Sequence, residues 1–167
     1  MLGIVLLYVG AVLFVNGFSL LGFADAKGAA VMNFLTGSLA LLINLIIIAV
    51  NAVGKGDIAL YYSAGTGLLF AFTYLYVGAV NMFGLDGRGL GWYCLFVAIT
   101  AVPSALLAFG SDSRFGFIWF GWAFLWFVYF LLLALKLNIA KFAGFATLVI
   151  AVVTAWIPGY LILAERW

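Results

Sequence analysis

The sequence contains no histidine, a single cysteine and very few charges. Seven Lys and Arg and five Asp and Glu are spread over 167 residues, so charged side chains make up only 7% of the chain. The absence of histidine excludes a histidine pH switch and a His-ligated metal or haem site. Cys94 has no partner for a disulfide within the chain, and we expect it to be a small buried hydrophobe.

The residue patterns of enzymes and of nucleic-acid-binding proteins are also missing. We find no carboxylate pair, no Cys/His arrangement and no phosphate-binding loop. The stretch "GLDGRGLG" at 84–91 is glycine-rich, but no strand precedes it, and we interpret it as a hinge. The net charge of +2 is too small and dispersed to bind nucleic acid. We therefore expect neither an enzyme nor a protein with a metal or cofactor.

Apolar residues, by contrast, dominate the chain. The sequence is 69% hydrophobic and its mean hydropathy is +1.33, whereas soluble proteins are about 45–50% apolar. A bilayer core of roughly 30 Å is crossed by about 20 apolar residues in a helix. We predict an all-α integral membrane protein, with residues 1–167 forming one compact bundle of six transmembrane helices. The charges divide the chain into predicted spans at 2–22, 29–53, 58–83, 91–110, 116–135 and 142–164.

The start of the chain and its loops predict an orientation. "MLGIVLLYVGAVLFVNG" has neither a basic segment nor a cleavage site, so we interpret it as the first span rather than a removable signal peptide. Lys and Arg favour cytoplasmic loops. Four of them follow spans 1, 3 and 5, and three lie on the side of the termini. This small excess predicts that both termini are outside.

All charged residues lie in connections or at span ends. Proton-coupled carriers and cation channels place ionisable groups within the membrane, so their absence mid-span predicts that any solute crossing here is uncharged. Four loops hold an acid and a base two residues apart. We interpret these pairs as solvated caps of helix ends, with the alternative that one of them shapes a pore mouth. The pairs are Asp25/Lys27, Lys55/Asp57, Asp86/Arg88 and Asp112/Arg114.

The first span has two distinct faces. Gly3, Gly10 and Gly17 recur every seven residues and predict a smooth face for close helix packing. The other face either lines a path or forms a coiled-coil-like seam. It consists of Leu2, Leu6, Val9, Leu13 and Asn16. Asn side chains are costly in lipid, so we expect the Asn residues to face the bundle or a wet path.

Aromatic residues form stripes in the third and fifth spans. Phe70 and Tyr74 share a helical face, as do Trp119, Trp122 and Trp126, which belong to a segment with ten aromatics in sixteen positions. Aromatic belts lie at span ends, whereas Trp126 falls near the middle of its span. Its indole therefore needs a protein partner or a solute. Packing alone is the alternative interpretation.

Two prolines lie within spans. A proline has no N–H to donate, so it leaves the backbone carbonyl four residues earlier without its helical hydrogen bond. Pro103 does this to Ile99, and Pro158 does it to Thr154. These positions are either kinks accommodated by neighbouring helices or acceptors offered to a passing N–H donor.

Several longer motifs occur in a recognisable order. They are "MLGIVLLYVGAVLFVNG", "AVMNFLTGSLA", "AGTGLLFAFTYLY", "FGLDGRGLGWYCLFVAITAVPSALL", "WFGWAFLW" and "VTAWIPGYL". Together they resemble the bacterial family of acid-activated urea channels and amide transporters, from the first residue to the last span. The resemblance implies six helices per protomer, a homohexameric ring and a separate pore through each protomer for urea or short amides.

The resemblance also implies which side chains line the pore. In that family the narrow part is apolar and aromatic, and planar rings would form a flat slot around a planar amide, with an occasional N–H, hydroxyl or carbonyl at its edge. The matching residues here are Leu2, Leu6, Val9, Leu13, Phe70, Tyr74, Trp119, Trp122, Leu125 and Trp126.

Two departures from the family pattern bear on gating. Acid-gated members carry a long loop rich in histidine and carboxylates after the second span, where this chain has "VGKGD". They also carry a glutamate in the last span, at the position of Ile150 here. We therefore expect no gating by protons.

These observations predict a passive channel for urea and short neutral amides in the bacterial inner membrane, which supplies a cytoplasmic urease or amidase. The alternative is a non-transporting scaffold or assembly subunit whose aromatic stripes serve only packing. A secondary carrier is disfavoured, because mid-span ionisable groups and an internal repeat are both missing.

Overall fold

The computed structural model describes residues 1–167 and contains helices but no strand. Its sixth span, Ala140–Leu163, includes a short π-helical segment. All six spans are long and apolar enough to cross a membrane, so the predicted six-helix membrane architecture is confirmed. The elements are α1 (Leu2–Leu20), α2 (Ala26–Val53), α3 (Ile58–Phe83), α4 (Arg88–Phe109), α5 (Ser113–Leu133), α6 (Ala140–Ile150), the π-helical segment (Ala151–Trp156) and α7 (Ile157–Leu163).

Aspartates cap the starts of three helices. Asp25, Asp57 and Asp112 each accept a hydrogen bond from a backbone N–H two or three residues further on, at 2.7, 2.8 and 3.0 Å. Such caps satisfy N–H groups that the first helical turn leaves unpaired. Helices α2 and α5 begin directly after their capping aspartates, three residues before the predicted spans.

Only two of the four loop pairs form ion pairs. Asp86 contacts Arg88 at 2.7 Å and Lys136 at 3.2 Å, and Asp112 contacts Arg114 at 2.7 Å. Hydrogen bonds from the backbone and side chain of Arg88, joined by Lys136, lower the pKa of Asp86 to about 2. The other two loops hold no ion pair, and their aspartates act as helix caps.

The glycine face of α1 packs against the sixth span. A Cβ atom on Gly10 would lie 2.8 Å from the backbone nitrogen of Trp156, and the positions of Gly3 and Gly17 are equally crowded by that span. The predicted smooth face is therefore confirmed, and it brings α1 close to α6 and α7. The remaining helices form two pairs, α2 with α3 and α4 with α5.

Buried asparagines join α1 to α2. Asn16 and Asn33 exchange two hydrogen bonds between their side-chain amides, at 3.1 and 2.6 Å, and Asn33 also donates to the carbonyl of Ala29. Amide groups in an apolar bundle need such partners because no water is available in the hydrocarbon. The expectation that the asparagines face the bundle is confirmed for this pair.

The two prolines have different local effects. Helix α4 continues through Pro103, while the turn before Pro158 widens into the π-helical segment. A proline cannot donate to the carbonyl four residues earlier, and π-helical turns are one way in which a helix accommodates the mismatch. Cys94 is 2% exposed in α4, as expected of a small buried hydrophobe.

Candidate functional site

Three cavities follow one another between α1, α3 and α5. The first cavity lies near the start of α1 and has a volume of about 200 Å³. The central cavity measures about 40 Å³, several times the roughly 10–15 Å³ that one water needs. The third cavity lies near the end of α1 and measures about 290 Å³. The row of cavities therefore follows the direction of the three helices through the bundle.

Neighbouring cavities share lining residues. Phe70 and Trp122 line both the first and the central cavity, and Leu13 and Tyr129 line both the central and the third. The central cavity is thus bounded at each end by one pair of side chains. A solute moving along the row would pass both pairs.

All ten residues predicted to line a pore border the first two cavities. Leu2 lies at the rim and is 51% exposed, whereas the other nine are buried or half-buried. Their role in permeation stays a prediction. The first cavity is lined by Leu2, Leu6, Val9, Phe70, Trp119 and Trp122. The central cavity is lined by Leu13, Phe70, Tyr74, Trp122, Leu125 and Trp126.

The lining comes almost entirely from α1, α3 and α5. Helices α2 and α4 contribute only Ala26 and Leu90, both in the third cavity, and the sixth span contributes nothing. The residues Ile99 and Thr154 line none of the three cavities. The interpretation of their proline-released carbonyls as acceptors for a passing solute is therefore not supported, and packing accounts for both prolines.

The aromatic rings beside the first and central cavities pack around Phe70. Its ring centroid lies 4.7 Å from those of Trp122 and Trp126 and 5.9 Å from that of Trp119, with interplanar angles of 77°, 59° and 63°. Aromatic pairs prefer such edge-to-face or tilted arrangements to a parallel sandwich. These three pairs are edge-to-face or tilted, and Trp119 contacts Trp122 directly at 5.0 Å, so the rings do not stack as the parallel walls of the flat slot that was predicted.

The indole N–H groups have unequal surroundings. Nε1 of Trp122 donates to the hydroxyl of Thr154 at 2.9 Å, and that hydroxyl donates to the carbonyl of Ile150 at 2.6 Å. The N–H of Trp122 is therefore used by the protein. At this position the indole has the protein partner that was one of the two expected alternatives, and its single N–H hydrogen is not available to a solute.

Two other polar atoms of the central cavity have no protein partner. Neither Nε1 of Trp126 nor the hydroxyl of Tyr74 makes a hydrogen bond within the chain, yet every fully buried polar side-chain atom has a partner. Both atoms must therefore reach open space, and both side chains border the central cavity. They are the two polar groups beside the central cavity that make no hydrogen bond within the protein.

No charged side chain lines any of the three cavities. The polar groups present are neutral hydroxyls, amides, phenols and indoles. An ion would lose its hydration in such a passage without gaining a counter-charge, which is strongly unfavourable. The geometry therefore suits a small uncharged solute with hydrogen-bonding edges.

One loop pair lies at the rim of the first cavity. Nε1 of Trp167 donates to Asp112 at 3.1 Å, and the guanidinium of Arg114 lies 4.4 Å from the centroid of the Trp167 ring. The ring of Phe115 lies beside that of Trp167, with centroids 5.1 Å apart and planes tilted by 45°. Hydrogen bonding from the Arg114 side chain lowers the pKa of Asp112 to about 2. Phe115 lines the first cavity, whereas neither Asp112 nor Arg114 does. The alternative that one loop pair shapes a pore mouth therefore stays a prediction.

Sequence reasoning missed several lining residues that its own periodicity indicates. Phe115 precedes Trp119 by four residues, and Tyr129 follows Trp126 by three, so both continue the predicted face of α5. The same extension along α3 reaches Thr66 and Val77 on either side of the predicted pair. Continuing each stripe by one helical turn in both directions would have found them.

Comparisons with known proteins place these features in a family. The profile of the AmiS/UreI family transporter matches residues 1–166. The acid-activated urea channel of Helicobacter pylori (strain ATCC 700392 / 26695) is 39% identical over 194 aligned positions, covering 100% of both chains. The putative transporter protein AmiS2 of Rhodococcus erythropolis is 42% identical over 97% of this chain and 79% of its own length.

A solved structure has the same fold. The crystal structure of the urea channel from Helicobacter pylori superposes with a TM-score of 0.93 and 40% identity, covering 100% of this chain and 99% of that one. A cryo-EM structure of that channel in its closed state gives a TM-score of 0.92 at 40% identity, covering 100% of both chains. The match of the family profile across the whole chain, supported by these relatives, shows that the protein belongs to the AmiS/UreI family of transporters.

Proposed function

We propose that the protein is a passive channel that conducts urea and short neutral amides through the row of three cavities in each protomer. The observation that carries this proposal is the sharing of lining residues between neighbouring cavities along α1, α3 and α5, with no charged group in the lining. The names of the relatives support urea and amides as the solutes. The ten predicted residues are proposed as its pore lining.

The central cavity supplies the selectivity in this proposal. A planar amide has N–H donors at one end and a carbonyl acceptor at the other. Nε1 of Trp126 donates to the carbonyl, while the hydroxyl of Tyr74 can donate or accept. The apolar walls exclude ions, and no energy source is needed because the solute moves down its own gradient.

The channel is proposed to conduct without proton gating. The Helicobacter pylori relative is named as acid-activated, but this chain has no histidine and no acidic or basic side chain along the cavities. Side chains that titrate between pH 5 and pH 8 are chiefly histidines. A change of external pH in that range therefore protonates or deprotonates no side chain that would open or close the passage.

The setting of the channel follows from the family resemblance and from the loop charges. We propose a homohexamer in the bacterial inner membrane with both termini outside, which delivers its solute to a cytoplasmic urease or amidase. The assembly is testable by the mass of the detergent-solubilised complex after correction for bound detergent, which should be six times the 18.0 kDa protomer.

The function is tested by solute entry into liposomes. Purified protein is reconstituted, and urea and acetamide entry is followed by stopped-flow light scattering against empty liposomes. We expect fast, unsaturated entry that changes in Trp122→Ala and is unaffected in Trp92→Ala, since Trp92 is 58% exposed on the outside of α4. Entry no faster than in empty liposomes would overturn the channel and favour the scaffold.

A further inference from the structure

The passage from the central to the third cavity runs between Leu13 and Tyr129. These two residues, on α1 and α5, are the ones that line both cavities, and we refer to them as the Leu13–Tyr129 neck. Leu13 is 7% exposed and Tyr129 is half-buried. The Phe70–Trp122 pair occupies the equivalent place at the other end of the central cavity.

The ring of Tyr129 is held in place by the sixth span. Its hydroxyl lies 3.1 Å from the hydroxyl of Thr147, a residue with no exposed surface. Thr147 uses its own hydrogen on the carbonyl of Ala143, at 2.7 Å. Because a hydroxyl carries one hydrogen, Tyr129 must be the donor in the bond between them.

The same arrangement occurs at the other end of the central cavity. Trp122 donates to Thr154, and Thr154 donates to the carbonyl four residues earlier, just as Thr147 does. The two aromatic residues are seven apart on α5, and the two threonines are seven apart on the sixth span. Both ends of the central cavity are therefore bounded by a ring that is anchored on a threonine.

This anchoring defines what Tyr129 offers to a solute. Its hydrogen is used by Thr147, while the phenol oxygen keeps lone pairs that can accept an N–H. The bond holds the ring in its place, since rotation about the Cα–Cβ bond would carry the hydroxyl away from Thr147, while rotation about the Cβ–Cγ bond leaves the hydroxyl oxygen on the rotation axis. A ring held in place between two cavities can discriminate solutes by size.

We propose that Tyr129, positioned by Thr147, is a specificity-determining residue that sets the largest amide able to pass from the central to the third cavity. This inference rests on the proposed channel function and refines it. It adds a size filter at the Leu13–Tyr129 neck to the aromatic cluster around Phe70.

The test compares urea with amides of increasing size in proteoliposomes. Permeability to urea, acetamide, propionamide and isobutyramide is measured for the unmodified protein, Tyr129→Ala, Tyr129→Phe and Thr147→Val. We expect Tyr129→Ala to raise the ratio of propionamide to urea permeability by roughly tenfold, the lower end of the 10–200-fold range in which a pocket discriminates by one methylene. Tyr129→Phe and Thr147→Val nearly keep the volumes of their side chains and remove the bond between them, although Thr147→Val also removes the bond from Thr147 to the carbonyl of Ala143. Each should raise the ratio, by less than Tyr129→Ala does, because the ring stays but loses its anchor.

Two matched controls separate the neck from general loosening of the bundle. Tyr93→Phe removes a comparable bond, from the Tyr93 hydroxyl to the carbonyl of Leu69 at 3.0 Å, but Tyr93 lines none of the three cavities. Phe127→Ala removes a ring from α5 that is 44% exposed on its outer side. Neither variant should change the permeability ratio.

The outcomes distinguish the two proposals. Unmodified protein that conducts no faster than empty liposomes overturns the channel function. A conducting channel whose ratio is unchanged in Tyr129→Ala overturns the size filter alone. If Tyr129→Ala does not fold, the bond-removing variants decide. An unchanged ratio in both variants overturns the proposal that Tyr129 filters solutes when positioned by Thr147. A second shift when Thr147→Val is added to Tyr129→Phe also overturns the positioning role, because the bond between the two residues is already absent.

Discussion

The indole N–H of Trp122 and the hydroxyl of Thr154 are joined by a hydrogen bond of 2.9 Å between α5 and the π-helical segment. This bond fixes a ring that borders two cavities. It also shows why an apolar chain keeps a threonine in its last span. The donor of a buried indole needs a partner when neither water nor lipid can supply one.

Removing this partner should lower stability. Thr154→Val leaves the N–H of Trp122 without an acceptor, at an expected cost of about 1–3 kcal/mol in the free energy of unfolding. Unfolding in mixed SDS micelles measures the change. Thr100→Val is the control, because Thr100 bonds only to the carbonyl of Phe96 within its own helix. Equal losses in the two variants would contradict the role of the bond between helices.

Phe70 should control the passage between the first and central cavities. Phe70→Ala removes the ring packed between Trp122 and Trp126, so we expect urea permeability to rise. The buried ring also contributes to packing, and its loss should cost roughly 3–5 kcal/mol of stability. The matched change Phe72→Ala, at a ring that is 48% exposed, should leave permeability as it is. A fall in urea entry in a folded Phe70→Ala variant would count against this assignment.

The amide pair between α1 and α2 should behave as a unit. Asn33→Leu leaves both side-chain hydrogen-bonding groups of Asn16 unsatisfied, and we expect a loss of about 1–3 kcal/mol. Adding Asn16→Leu removes the orphaned amide, so the double variant should lose less than the sum of the two single changes. Additive losses, measured in the same SDS unfolding assay, would show that the two amides act independently.

The close packing of α1 against the sixth span should tolerate no added side chain. Gly10→Ala places a methyl group within 2.9 Å of Trp156, so overpacking should cost about 1–3 kcal/mol. Gly65→Ala, where a Cβ meets nothing within 4 Å, should instead stabilise its helix by about 0.5–1 kcal/mol. Thermal unfolding of the two variants in detergent should give midpoints that move in opposite directions.

Urea permeability should not change between pH 5 and pH 8. The carboxyls of Asp86 and Asp112 have a pKa of about 2 in the folded protein, below the value of about 3.9 for an unfolded chain. Their stabilising effect is therefore fully present above that unfolded value and is lost only as pH falls through about 2. Stopped-flow urea entry at several pH values measures the permeability. Entry that is faster at acid pH alone would show that a gate exists.

Much of this structure follows from the sequence by simple physical rules. Six apolar stretches separated by charges predict six spans, because charged groups avoid hydrocarbon. Residues three or four apart share a helical face, which is why Phe70 with Tyr74 and Trp122 with Trp126 were predicted to form stripes. That the two stripes lie along one path was implied by the resemblance to the family. The structure places both around the same cavities.

Spacing alone could not supply the relations across helices. Thr154 lies 32 residues after Trp122, and its orientation depends on a π-helical turn that no periodicity indicates. The tilted packing of Phe70 against the indoles is likewise a property of three helices together. A flat slot was the wrong prediction for these rings because helical spacing specifies which rings meet but leaves their interplanar angle undetermined.

The restriction of the lining to three of the six spans has an evolutionary consequence. Apart from the two anchoring threonines and the two small contributions at Ala26 and Leu90, mutations in α2, α4 and the sixth span leave the walls of the cavities untouched. In the proposed channel, the outer surface of one half of the chain can therefore change with the host membrane while the other half keeps the lining of the passage.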